Sequence, residues 1–216
     1  MLTVSHSAGA AGNFLAPLSQ LSANAFKTVM DIDVLGSYNT LKATMDQLVA
    51  SASANAVTAK SETPNGTGGR IIFVSATIHY TGLPLQTHVA AAKAAVDQLS
   101  SSVAIEYGPL GVNSNIIAPG PIGGTEGMDR LVKPEDIAAA MKHVPAGRYG
   151  SVKDIADATV YMFSDAGNYV NGEILVVDGG SWHIPSTGPG GSFKYPDFIL
   201  GNKAITGVKG TKKSKL

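Results

Sequence analysis

The sequence of 216 residues contains no cysteine. This absence excludes disulfide bonds, thiolate nucleophiles and cysteine-ligated metal sites. Charged residues make up only 15% of the chain and hydrophobic residues 44%, a composition typical of a folded globular protein. Sixteen basic residues balance sixteen acidic ones, so no net positive charge is available to attract nucleic acid.

Three further features are missing. No apolar run approaches the roughly 20 residues that span a bilayer, and Met1–Val4 lacks the basic and apolar regions of a secretory signal. The histidines show no paired ligand spacing, so no metal site is predicted; they are His6, His79, His88, His143 and His183. A Gly-x-Gly-x-x-Gly turn between a strand and a helix is also absent.

Apolar runs alternate with helical patterns along the chain, which predicts a doubly wound parallel sheet in one domain. The predicted strands are Leu2–Val4, Arg70–Val74, Val112–Ala118 and Glu173–Val177. The predicted helices are Asn24–Val49, Gln86–Tyr107, a short one opened by Pro134, and Val152–Ser164. Gly9–Gly12 is predicted as a turn, and Ser51–Gly69, rich in Ser, Ala, Asn and Gly, as a surface loop.

Lys93 lies in a run of alanines near the start of the second long helix. Residues four apart share a helix face, so Val89 would lie beside it. Valine cannot donate a proton. By itself, a lysine in such a helix is more often a surface residue than a catalytic one.

Four segments in order resemble the short-chain dehydrogenase/reductase family: Ala10–Gly12, the Lys93 helix, Pro119–Ile122 and Val177–Gly180. That family normally has Tyr-x-x-x-Lys where this chain has Val89 and Lys93. Finer segments resemble its peroxisomal 2,4-dienoyl-CoA reductases; these are Ala11–Leu15, Phe26–Asp33 and Ala118–Gly127. The resemblance implies NADPH-dependent reduction of 2,4-dienoyl-CoA to 3-enoyl-CoA in peroxisomal β-oxidation of unsaturated fatty acids.

The resemblance also assigns roles. Asp33 and Lys93 would replace the usual Ser-Tyr-Lys chemistry, and Ala76 stands where the family serine would fall, with Ser75 one residue away. The implied cofactor-binding residues are Ala11, Gly12, Lys93, Pro119, Gly120, Pro121, Ile122 and Thr125. The implied acyl-CoA-binding residues are Phe14, Ser22, Asn24 and Arg130.

Each role has an ordinary structural alternative. Asp33 could be a solvated or capping carboxylate, and Asp31 is a nearby competitor for its role. Pro119–Pro121 could simply end a strand, and Arg130 could be a free surface charge. His88 is a plausible pocket residue, but a structural histidine is the more common case.

Compared with the family pattern, the chain starts at about the fourth strand. The expected fold is therefore an incomplete Rossmann-like sheet lacking the N-terminal Gly-rich βαβ portion, over residues 1–184, followed by a flexible tail over 185–216. Three interpretations stay open. The chain is an NADPH-dependent dienoyl-CoA reductase, an inactive truncated subunit that binds reductase oligomers, or a related peroxisomal reductase for another enoyl-CoA or a carbonyl.

The chain ends in Ser214-Lys215-Leu216, preceded by two lysines. A terminal Ser-Lys-Leu is read by the peroxisomal import receptor, although a lysine-rich solvated terminus is the plainer alternative. The expected partners are therefore an acyl-CoA, the import receptor and further copies of the chain. Dimers and tetramers are common in the family, and the two long helices would fit such an interface.

Overall fold

In the computed structural model, the described residues are 2–6, 15–54, 68–126, 128 and 134–184. They contain one parallel sheet of four strands in the order β1-β2-β3-β4. The strands are β1 (Thr3–His6), β2 (Gly69–Val74), β3 (Val112–Pro119) and β4 (Ile174–Val177).

Helices connect each strand to the next. Between β1 and β2 lie α1 (Ala23–Val29), a π-helical segment (Met30–Leu35) and α2 (Gly36–Ala54). Between β2 and β3 lie α3 (Ile78–Thr81) and α4 (Thr87–Glu106). Between β3 and β4 lie α5 (Ile137–Met141) and α6 (Val152–Phe163).

Both faces of the sheet are covered. Because successive strand side chains point to opposite faces, Phe73 packs in the cluster that contains Leu48 of α2 and Val96 of α4. Its neighbour Ile72 packs with Met162 of α6 on the other face. Helices on both faces of a parallel sheet confirm the doubly wound Rossmann-like class.

A buried arginine ties β2 to the end of α6. Arg70, only 3% exposed, donates from Nη1 to the carbonyls of Met162 at 2.6 Å and Ser164 at 2.7 Å. Its Nη2 also donates to Asn168 Oδ1. These bonds satisfy carbonyls at the C-terminus of the helix, where a cation is favoured. They fix the helix that covers the second face.

Most predicted elements are confirmed to within one or two residues, but two predictions were wrong. The helix predicted over Asn24–Val49 is interrupted by the π-helical segment and runs on to Ala54. The loop predicted over Ser51–Gly69 is therefore helical at its start, and Gly69 already belongs to β2. Burial of Ala52, 3% exposed in the core, explains the extra helical turn.

Other predictions fall outside the described residues, namely the turn over Gly9–Gly12, the middle of the predicted loop at 55–67, and the tail over 185–216. Among the helices that are described, none is both long enough and apolar enough to cross a membrane.

Candidate active site

Asp33 lies in the π-helical segment and is completely buried, with 0% exposure. The Ser37 hydroxyl donates to the Asp33 backbone carbonyl at 2.5 Å. The amide of Gly36 contacts the carbonyls of both Asp31 and Asp33. π-Helical turns are rare and are found frequently at functional sites. Here the turn carries a carboxylate into the interior.

Lys93 comes from α4 and meets Asp33 in the interior. Its Nζ lies 3.6 Å from Asp33 Oδ2, and the two side chains are 9% and 1% exposed. The same Nζ donates to the Val74 carbonyl at 3.2 Å. Because Val74 is the last residue of β2, the pair lies at the carboxyl end of the sheet. The structure therefore brings together the two side chains for which the family resemblance predicts catalytic roles.

Burial and charge act on Lys93 in opposite directions. Desolvation is the larger effect and lowers the pKa of Lys93, while Asp33 and, more weakly, Asp97 act to raise it. The ammonium is thus easier to deprotonate than that of an ordinary lysine. Its charge depends on the carboxylates beside it.

An apolar residue, Val89, stands four residues before Lys93, where the family resemblance predicts a tyrosine. Val89 is 8% exposed and packs with Val29 of α1 and with Ala92. Near Val74, Ser75 is buried, and its Oγ has no hydrogen-bond partner among the described residues. Ala76 follows it. That Val89 and Ala76 replace the usual tyrosine and serine of the family stays a prediction.

The loop from Pro119 to Thr125 lies at the same end of the sheet. The amide of Thr77 donates to the Pro119 carbonyl at 3.1 Å, and the amide of Gly120 donates to Val177 at 3.1 Å. Further along the same loop, the Gly150 amide donates to the Pro121 carbonyl at 3.0 Å. In open α/β sheets, ligands bind in the crevice outside the carboxyl ends of the strands. The loop is well placed to line such a crevice.

Two cofactor residues expected in this loop also contact each other. The Thr125 hydroxyl donates to the Ile122 carbonyl at 2.8 Å and accepts from the Met128 amide at 3.4 Å. Ile122 also forms a backbone bridge with Gly150. A threonine hydroxyl has one hydrogen to donate, and here the Ile122 carbonyl accepts it. To bind a phosphate oxygen, the hydroxyl would have to turn away from Ile122. Its cofactor role stays a prediction.

Gly120→Ala is expected to destabilise the fold by about 1–3 kcal/mol through overpacking. A Cβ at this position would lie 2.9 Å from the Asp178 backbone Cα, so the strand-end loop must move. Urea denaturation measures the loss. Gly123→Ala is the matched control, because its nearest neighbour would be at an ordinary 3.7 Å. Equal stability of the two variants would contradict the close approach.

The expected acyl-CoA residues are only partly described. Ser22 and Asn24 are exposed at the start of α1, where Ser22 Oγ accepts from the Ala25 amide at 3.1 Å as a helix N-cap. Their contact with acyl-CoA stays a prediction. The predicted residues Ala11, Gly12, Phe14, Arg130 and the Ser214–Leu216 signal lie outside the described residues.

Sequence reasoning missed a buried polar cluster on the far side of Lys93. Asp97 is 8% exposed, and its Oδ2 accepts from the Tyr80 hydroxyl at 2.5 Å. The Nε2 of His79 lies 2.6 Å from the same oxygen. The available signal was the spacing of Lys93 and Asp97, which puts them on one helix face.

His88 is also completely buried, and burial lowers its pKa. Over the residues whose placement is described, no group of three or more His, Asp or Glu side chains could hold a metal ion.

A parallel sheet covered on both faces, with a lysine–carboxylate pair at the carboxyl ends of its strands, defines a Rossmann-like protein of the dehydrogenase type. Comparison with known proteins makes the assignment specific. Residues 3–181 match the family model described as Enoyl-(Acyl carrier protein) reductase. The chain belongs to this family of short-chain dehydrogenases/reductases.

Individual relatives agree. A peroxisomal 2,4-dienoyl-CoA reductase of Saccharomyces cerevisiae is 50% identical over 177 residues, covering 82% of this chain and 55% of that protein. One from Danio rerio is 43% identical, covering 80% and 53%. A crystal structure of a short chain dehydrogenase from Bacillus anthracis is 30% identical with a TM-score of 0.68, covering 89% and 66%. The chain spans about half the length of the curated relatives it matches.

Proposed function

We propose that this chain carries the active site of an NADPH-dependent reductase that converts 2,4-dienoyl-CoA to 3-enoyl-CoA. The observation that carries the proposal is the buried Asp33–Lys93 pair beside an apolar Val89. An ordinary carbonyl reductase of this family needs a hydroxyl donor at that position. The names of the two reductase relatives support the choice of substrate.

The chemistry suits a site without a tyrosine. Bound NADPH would supply a hydride to the far end of the diene, and the negative charge would spread to the thioester oxygen. The proton must then reach the carbon next to the thioester rather than an alkoxide. Asp33 can hold and polarise a water for this step. The Lys93 ammonium can orient the cofactor ribose and stabilise negative charge nearby.

Features of the site fit a dinucleotide. The Pro119–Thr125 loop offers backbone groups at the carboxyl ends of the strands, and the Thr125 hydroxyl would join them by turning from the Ile122 carbonyl. At Gly124, where φ is +70°, no atom of the described residues lies within 4 Å of the place that a Cβ would occupy, which leaves the backbone open to a ligand. With Lys93, these groups would hold the nicotinamide and diphosphate portions.

The test is a fluorescence titration of the chain with NADPH, followed by an assay of NADPH consumption. We expect saturable binding, and consumption with 2,4-dienoyl-CoA but not with a 3-ketoacyl-CoA. Failure to bind NADPH would contradict the proposal and favour a subunit that only joins reductase oligomers. Preference for the ketone would instead favour a related carbonyl reductase.

The proposal extends to location and partners. The relatives' names and the terminal Ser214-Lys215-Leu216 support a peroxisomal protein that binds the import receptor. Self-association into a homo-oligomer, through the long helical faces of α2 and α4, belongs to the same proposal.

A further inference from the structure

Three side chains outside the proposed catalytic pair form one buried cluster. His79 and Tyr80 come from α3, and Asp97 comes from the middle of α4. Both α3 side chains contact the same carboxylate oxygen, Asp97 Oδ2, at 2.6 and 2.5 Å. Burial and then Asp97 raise the pKa of Tyr80 well above its ordinary value, so its hydroxyl remains a protonated donor.

The cluster lies one helical turn from Lys93. Residues at i and i+4 are neighbours on a helix surface, so the Asp97 carboxylate and the Lys93 ammonium share one face of α4. Lys93 is therefore flanked by two carboxylates, Asp33 from the π-helical segment and Asp97 from its own helix. The β2 element packed against it contributes the Val74 carbonyl.

The buried carboxylates beside Lys93 need hydrogen-bond donors. A buried charge is costly unless it is paired and hydrogen-bonded. His79 and Tyr80 meet that need at Asp97, because both can donate to it. These two contacts hold Asp97 Oδ2 in place on the face of α4 that carries Lys93.

We propose that Asp97, held by His79 and Tyr80, is a positioning residue that keeps the Lys93 ammonium charged. Burial alone disfavours that charge and lowers the pKa of Lys93, and Asp33 and Asp97 oppose the effect in that order. The electrostatic step stands on the contacts that hold Asp97 and on the helix face that it shares with Lys93. Its consequence for reduction, a charged Lys93 beside the cofactor, rests on the proposed function.

The test is an NMR titration of the chain labelled with carbon-13 at the lysine Cε, with the Lys93 signal assigned from Lys93→Arg. We expect Asp97→Asn to lower the pKa of Lys93 by about 1, which is a tenfold weaker hold on the proton. Glu106→Gln removes a charge of the same sign from the same helix, about 20 Å away along its axis, and should leave the pKa of Lys93 unchanged.

An unchanged Lys93 pKa in a folded Asp97→Asn variant would overturn the proposal. If the single variant does not fold, Tyr80→Phe/Asp97→Asn gives the same test without leaving a buried hydroxyl donor unsatisfied. The titration needs neither cofactor nor substrate, so its outcome is independent of reductase activity. In the reductase assay, a lower Lys93 pKa should move the alkaline limb of the pH–rate profile to lower pH.

Discussion

Asp33→Asn is expected to lower turnover of 2,4-dienoyl-CoA by about 10²- to 10⁴-fold. This is the rate acceleration that a positioned acid–base group typically contributes. The amide keeps the size of the side chain but cannot hold a water in the orientation that a carboxylate imposes. NADPH binding should persist, because the Pro119–Thr125 loop is unchanged. Steady-state assays of NADPH consumption, with a parallel NADPH titration, separate the two effects.

Asp31→Asn provides the matched control. Asp31 lies two residues away in the same π-helical segment, but its side chain is 41% exposed and pairs with Lys27 on the surface. Removing its charge should leave turnover nearly unchanged. If Asp33→Asn kept full turnover, or if Asp31→Asn lost as much, the proton-delivery role of Asp33 would be wrong.

Lys93→Met is expected to destabilise the chain by about 3–5 kcal/mol and to abolish turnover. Methionine matches the length of the lysine stem, so packing of the side chain in the interior is largely kept. The cost comes from Asp33, which is left as a buried charge once the cation 3.6 Å from it has been removed. Urea denaturation monitored by circular dichroism gives the stability.

The double variant Asp33→Asn/Lys93→Met removes both charges and is expected to recover most of that stability while staying inactive. Replacing a buried ion pair by well-packed apolar residues is often close to neutral for stability, and the amide introduced at position 33 leaves no charge to be compensated. Recovery would show that the single variant loses stability because of the buried Asp33 charge rather than because of altered packing. A double variant as unstable as Lys93→Met would contradict the ion-pair interpretation.

The strands and long helices could be predicted from the sequence because apolar runs and helical spacing are local signals. The π-helical segment could not, because Met30–Leu35 has the same apolar spacing as the helices on either side. The π-helical segment packs against α4, and a contact between segments so far apart in sequence leaves no local pattern from which to predict it. Ala52 escaped prediction for the same reason, since its polar surroundings suggest a loop and only burial keeps it helical.

The pairing of Asp33 with Lys93 came from family resemblance rather than from spacing, since sixty residues separate them. The Asp97 cluster was missed because His79 and Tyr80 reach it from α3, a helix of four residues with no sequence signal of its own. Long-range contacts of this kind depend on the packing of α3 against α4. They become visible only in the folded chain.

The central claim is that this site gives its proton to the carbon next to the thioester. The most direct test is to let the chain reduce 2,4-dienoyl-CoA with NADPH in deuterated water and to locate the deuterium in the product by NMR. The account predicts 3-enoyl-CoA with solvent deuterium on the carbon next to the thioester. A 2-enoyl product, or no reduction by a folded chain that binds NADPH, would contradict it.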